Sequence, residues 1–311
     1  MSRLPSALTA PADRQAGLLY RVDLPDEGWK ERWERIVCPS GTKDRLLNGA
    51  LFCTTRRPTL SSVGLPSHGL LVIAGPPGCG KTTLAQGLAD QVGRVLRSRG
   101  VAEHVRFAMV DAHALPSELL GQSQRGIVRL FERIIPDLAE DGTPVVVLLD
   151  EVEALAVNRR RTSTETNPAD VHRSTEAVLT GIDQLASAAS CIVFVATTNF
   201  PEAVDEALLS RADLVEHLGP PTAEVARAIL ADTLAELPGG GADVEAGELD
   251  SIGRRCADSR LDARQVRKLV LRALVSDDVA LALGERPLRA VDLNRALELE
   301  LSRRTMGGGD V

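Results

Sequence analysis

The chain has 311 residues, 44% of them hydrophobic and 25% charged, with a formal net charge of −7. That length exceeds one average domain, the hydrophobic share excludes a disordered chain, and the negative balance argues against bulk nucleic-acid binding. Only four of the 36 basic residues are lysines and aromatics make up 3%, so the positive charge is almost wholly guanidinium.

The first 15 or so residues, rich in Ser, Pro and Ala, read as a loose end without the apolar run of a signal peptide. A mixed segment with Trp29, Trp33, Ile36 and Val37 follows, then a helix over 42–53 and a polar linker. From residue 68 apolar runs alternate with helical patterns: LLVIA at 70–74, VRFAMVD at 105–111, VVVLL at 145–149, CIVFVA at 191–196 and a weaker DLVEHL at 213–218. Continuous apolar runs are expected of strands buried on both faces, so the fold class is α/β with a parallel five-stranded sheet. Beyond Gly219 only helical patterns remain, over 222–236, 247–257, 262–282 and 292–304, which predicts a small helical domain. The expected division is an N-terminal segment 1–65, a large domain 66–218, a helical lid 219–305 and a tail 306–311. Five scattered cysteines, Cys38, Cys53, Cys79, Cys191 and Cys256, form no CxxC pair and read as reduced thiols. No stretch approaches the roughly 18 apolar residues of a membrane span, and a cytoplasmic protein is expected.

GPPGCGKT at 75–82 fits GxxxxGK[ST] after a strand and before a helix, the pattern of a phosphate-binding loop. Gly75, Gly78 and Gly80 permit a tight loop whose amides face phosphate at a helix N-terminus, with Pro76, Pro77, Cys79 and Thr83 completing the nucleotide-binding set. Lys81 is expected on the β and γ phosphates and Thr82 on Mg²⁺. VVVLLDE at 145–151 ends a buried strand in Asp150, a second magnesium-shell residue, and Glu151, the carboxylate that polarises the attacking water. CIVFVATTN carries Asn199 to the tip of the next strand, where it can orient that water. Arg211, twelve residues on, stands where a subunit-edge arginine finger is expected to reach a neighbour's γ phosphate.

These elements together resemble an AAA+ P-loop ATPase over about residues 26–305. DEVEAL at 150–155, NPADVHRSTEAVLTGIDQL at 167–185 and VDEALLSRADLVEHLGPP at 204–221 resemble the pachytene checkpoint protein 2 family, also called thyroid receptor-interacting protein 13. LDARQVRKL at 261–269 is similar to that family's sensor 2 helix, which makes Arg264 a second γ-phosphate contact. Leu119-Leu120-Gly121 matches the family's pore loop except that Leu119 replaces an aromatic residue, and the polar loop 156–170 is a second pore-loop candidate. Ile36 and Val37 resemble the residues lining the adenine pocket, although ordinary core packing accounts for them equally well.

The resemblance implies a homohexamer that uses ATP and Mg²⁺ to pull on HORMA-domain proteins, converting a closed state to an open one. Bacterial members are associated with HORMA proteins and cGAS-like nucleotidyltransferases in cyclic-oligonucleotide anti-phage signalling, and the expected effect is to silence it. No membrane or nucleic-acid partner is expected. Alternatives are an AAA+ remodeller of an unrelated client, a nucleic-acid-associated motor and a nucleotide-gated scaffold.

Overall fold

The computed structural model describes residues 17–57, 67–112, 122–156, 168–188, 191–237, 241–275 and 277–307. The described residues fall into two compact units, one drawn from 1–75 and 81–218, the other from 76–80 and 219–311.

The first unit is built on a six-stranded sheet of β1 (Leu18–Leu24), β2 (Leu70–Ala74), β3 (Val105–Val110), β4 (Val145–Leu149), β5 (Ile192–Thr198) and β6 (Leu214–His217). Their order is β1-β3-β4-β5-β2-β6. Every residue of β2, β4 and β5 is buried, as continuous apolar runs require when helices cover both faces. Leu70, Val72, Val147 and Phe194 join one core with Phe131, Val178 and Ile182 from the covering helices. In register, Ala74 lies opposite Thr198, and Leu149 opposite Ala196. The C-terminal ends of β2, β4 and β5 therefore emerge side by side.

The sheet has one strand more than the five predicted. β1 pairs antiparallel with β3 at the edge, while the other neighbouring pairs are parallel. Helix α1 (Glu27–Arg35) follows β1 and brings Trp29, 2% exposed, edge-on to Phe107 at 4.9 Å between ring centroids. Buried Asp90, in helix α3 (Lys81–Ser98), accepts the Asp26 amide at 2.7 Å and Arg94 Nε at 2.7 Å, tying the β1–α1 turn to the helix that starts at Lys81. A Cβ on Gly87 would lie 3.0 Å from Trp33 Cα, so glycine there allows α1 and α3 to approach closely. Helix α2 (Thr42–Thr55), two residues longer than predicted, is joined to β6 by a two-pronged Arg45–Glu216 ion pair.

Helix α4 (Gln122–Arg129) continues through a wider π turn at Leu130–Ile134. Pro136, which has no amide to donate, follows that turn. Helix α5 (Pro168–Ala188) packs on this segment through Gly181, where an added Cβ would come within 2.3 Å of Phe131 Cγ. Gly181→Ala is expected to destabilise the protein by about 1–3 kcal/mol through overpacking, read by chemical denaturation.

The second unit contains helices α7 (Ala223–Ala235), α8 (Ala246–Asp258), α9 (Ala263–Leu274), α10 (Val279–Ala282) and α11 (Ala290–Gly307); the short α6 (Glu206–Leu209) precedes β6 in the first unit. Its core is formed by Leu230, Ile252, Val266, Leu269, Leu293 and Leu297. The helix predicted over 262–282 is two helices: α9 stops at Val275 (φ −94°, ψ 41°), and Asp278 caps α10 by accepting the Leu281 amide. A two-residue parallel pair, β7 (Ala242–Asp243) with β8 (Leu288–Arg289), was not anticipated. Burial raises the Cys53 thiol to about 12 and Cys256 to about 11, so both stay protonated at neutral pH. Among the described residues, no helix is long and apolar enough to cross a membrane.

Candidate active site

The ends of β2, β4 and β5 carry the residues that sequence pattern marks for nucleotide chemistry. Gly75 leaves β2 with its amide donating to Thr198 O at 3.2 Å, which fixes the start of the loop against β5. Pro76, Pro77, Gly78, Cys79 and Gly80 group by contact with the second unit, and the chain re-enters the first at Lys81. Gly78 has φ +81°, and a Cβ there would lie 2.6 Å from Asp262 Oδ1 and 3.1 Å from Arg264 Cβ. Both the left-handed backbone and the close neighbours require glycine at that point.

Lys81 and Thr82 open α3, with Thr83 beside them in its first turn. Lys81 is 6% exposed, and its Nζ donates to Gly75 O at 2.8 Å and Asn199 Oδ1 at 2.7 Å. The ammonium thus sits at the loop's mouth between the ends of β2 and β5. Thr82 Oγ1 donates to Asp150 Oδ1 at 2.8 Å, and the buried Thr197 hydroxyl donates to the same oxygen. The Thr82 hydroxyl and the Asp150 carboxylate are hard oxygen donors of the kind Mg²⁺ takes, so the pair fits a magnesium shell.

Glu151 follows in the left-handed region, at φ 53° and ψ 54°. A non-glycine residue held there is strained by about 1–3 kcal/mol and persists only where its surroundings fix it. Here Thr197 Oγ1 accepts the Glu151 amide at 3.1 Å, and Asn199 Nδ2 donates to Glu151 Oε1 at 3.1 Å. Asn199 therefore bridges Lys81 and Glu151. Its own amide donates to Glu153 Oε1 at 3.0 Å, while Glu153 Oε2 is buried with no hydrogen-bond partner among the described residues.

Lys81, Thr82, Asp150, Glu151 and Asn199 thus form one hydrogen-bonded cluster. Arg211 is bonded elsewhere: Nε and Nη2 donate to the two Asp183 oxygens at 2.8 and 2.9 Å. The Arg211 fork holds the Asp183 carboxyl below its ordinary range. With the folded value lowered, the pair's contribution is present at neutral pH and is lost on acidification. Arg264 lies in the second unit beside Gly78, two residues after Asp262, which caps α9 by accepting the Gln265 amide at 2.8 Å. Ile36 ends α1 partly buried, and Val37 is 37% exposed; α1 packs on α3, the helix that opens with Lys81. Leu119, Leu120 and Gly121, like most of the loop 156–170, fall outside the described residues.

Sequence reading gave no role to Thr197, Glu153 or Asp183. Thr197 was legible, since it stands two residues before Asn199 on the same strand face. Glu153 and Asp183 had no such signal, because an acid on a helical segment reads as a solvated residue.

Residues 71–220 match the family described as "ATPase family associated with various cellular activities (AAA)". The chain is 39% identical over 289 residues to CD-NTase-associated protein 6 of Pseudomonas aeruginosa, covering 92% of each. It is 35% identical to the pachytene checkpoint protein 2 homolog of Arabidopsis thaliana over 73% of this chain, and spans about half that protein's length, 48%. Among solved structures it superimposes on a chain of the HORMA:CdnC:Trip13 complex of E. coli MS115-1 with a TM-score of 0.74 at 19% identity, covering 91% of this chain and 95% of that one. PCH-2 of C. elegans gives 0.73 at 21% identity over 93% and 77%. With 39% identity across 92% of both chains and an AAA family match over the strands that carry this cluster, the chain belongs to the AAA ATPases, in the family of CD-NTase-associated protein 6, and is similar to the pachytene checkpoint protein 2 homologues.

Proposed function

We propose that the protein is a ring-forming, ATP-driven remodeller that disassembles or conformationally converts a HORMA-domain protein, lowering the output of a cGAS-like nucleotidyltransferase in anti-phage defence. The observation that carries this reading is identity of 39% across 92% of both chains with a CD-NTase-associated protein. A solved neighbour of the same fold comes from a complex of HORMA, CdnC and Trip13, which supports a client of that kind.

ATP is the proposed nucleotide, held by Gly75–Gly80, Lys81, Thr82 and Thr83, with Ile36 and Val37 against adenine. Thr82 and Asp150 are the proposed magnesium ligands, and the bound ion would neutralise charge building on the phosphates. Glu151 accepts a proton from the attacking water, which the Asn199 amide helps to orient. Arg211 reaches the γ phosphate of a neighbouring subunit and Arg264 contacts it from the same chain, which presupposes a homohexamer. Residues 1–65 form the N-terminal segment, 66–218 the ATPase domain, 219–305 the lid and 306–311 the tail. Leu119, Leu120 and Gly121 grip the client by apolar contact.

ATPase rate measured with and without a purified HORMA protein tests the reading. The rate is expected to rise with the HORMA protein, and a Glu151→Gln variant loaded with ATP is expected to hydrolyse slowly and keep the HORMA protein bound. A rate indifferent to HORMA protein but raised by DNA, and falling steeply with salt, would point to a nucleic-acid motor instead.

A further inference from the structure

Arg211 has a 25% exposed side chain and engages Asp183 through both carboxylate oxygens. Its third bond runs from Nη1 to Ala207 O at 2.8 Å. A guanidinium carries five N–H donors, so these three bonds leave one N–H on Nη1 and one on Nη2. Two donors on the terminal nitrogens of one planar group are suited to a pair of phosphate oxygens. The ion pair with Asp183 therefore leaves Arg211 able to bind phosphate while limiting the directions in which it can do so.

The backbone under Arg211 is fixed as well. Its amide donates to Leu208 O at 3.1 Å, at the end of α6, whose first turn is capped by Asp205. Two residues on, Asp213 accepts the amides of Gly69 and Leu70 at 2.6 and 3.1 Å, anchoring this segment to the strand that leads into the phosphate loop. Asp183 comes from α5, a different element, and its Oδ1 also lies 3.6 Å from His68 Nε2. Backbone and side chain of Arg211 are thus held from two sides. Such an ion pair, with Asp183 41% exposed, adds little to stability. What it does supply is a fixed orientation for a long guanidinium side chain that the bond to Ala207 O tethers at a different nitrogen.

We infer that Asp183 is a positioning residue for the arginine finger: it orients the Arg211 guanidinium so that its two remaining terminal donors face the γ phosphate bound by the next subunit. This rests on the proposed action of Arg211 across a subunit boundary.

Rings assembled from mixed subunits separate the two claims. Arg211→Ala subunits keep a nucleotide site but offer no finger, whereas Lys81→Ala subunits offer a finger but no working site. Each alone is expected to be inactive, and a mixture is expected to regain ATPase activity at boundaries where an intact site meets an intact finger. Placing Asp183→Asn in the Lys81→Ala subunit puts the change in a chain that does no hydrolysis. Recovered kcat is expected to fall about 3- to 10-fold with KM for ATP unchanged, and Asp183→Glu in the same subunit is expected to restore part of it. If Asp183→Asn donors serve as well as donors carrying Asp183, Asp183 does not position the finger, although Arg211 still acts in trans. If the Arg211→Ala and Lys81→Ala mixture regains nothing, the trans action fails and the role of Asp183 falls with it.

Discussion

Replacing Glu151 by Gln is expected to lower kcat for ATP hydrolysis by about 10²- to 10⁴-fold while ATP still binds. The amide keeps the shape of the carboxylate and can still accept from Asn199 Nδ2, which lies 3.1 Å from Glu151 Oε1. The left-handed backbone at this position and its amide bond to Thr197 do not involve the side chain and remain. What disappears is the basic oxygen able to take a proton from water. Lys81, Thr82 and Asp150, the proposed phosphate and magnesium contacts, are untouched. Single-turnover hydrolysis beside equilibrium nucleotide binding reads the two effects separately. Hydrolysis within tenfold of the parent would mean that another group activates the water.

Lys81→Ala acts on binding. The residue is nearly buried, at 6% exposure, and its ammonium donates to Gly75 O and Asn199 Oδ1. A buried cation at the N-terminus of α3 is placed for an anionic ligand, and both of these acceptors lose a donor when it goes. Truncating one partner of a buried, hydrogen-bonded charge pair costs about 2–5 kcal/mol, which weakens ATP binding by at least about 30-fold. Titration with a fluorescent ATP analogue measures it. Affinity within threefold of the parent would remove Lys81 from the phosphate site.

Asp150, Glu151 and Asn199 were legible before the fold was known because they follow the ends of apolar strands, and Lys81 and Thr82 because they complete the GxxxxGK[ST] loop that leaves a third. β2, β4 and β5 are buried on both faces, and such strands announce themselves as runs of Leu, Val and Ile whose first polar residues mark the carboxyl ends. β1 escaped notice because it is an edge strand: Tyr20, Arg21, Val22 and Asp23 mix polarity, and only Leu18 and Leu24 at its ends are fully buried. The break between α9 and α10 was written in Asp277-Asp278, the second of which caps α10, a signal that the surrounding apolar spacing masked. Asp183 and Glu153 belong to a different class. Their partners lie 28 and 46 residues away in sequence, so no local pattern could join Asp183 to Arg211 or Glu153 to Asn199.

Lys81, Asn199 and Glu151 form a continuous chain of hydrogen bonds from the phosphate loop to the proposed water-activating carboxylate. A nucleotide phosphate that takes over the Lys81 ammonium would free the Asn199 side chain at the same moment, so binding and alignment for hydrolysis are linked in the geometry. Such linkage suits an engine whose cycle is to be converted into force on a client.

The most direct test of that central claim is the ATP-dependent release of a HORMA protein from its complex with a CD-NTase, followed by size-exclusion chromatography. Complexes are expected to come apart with the unaltered protein and ATP, and to stay intact with the Glu151→Gln variant or without nucleotide. Release that proceeds equally well with the variant would contradict remodelling driven by ATP hydrolysis.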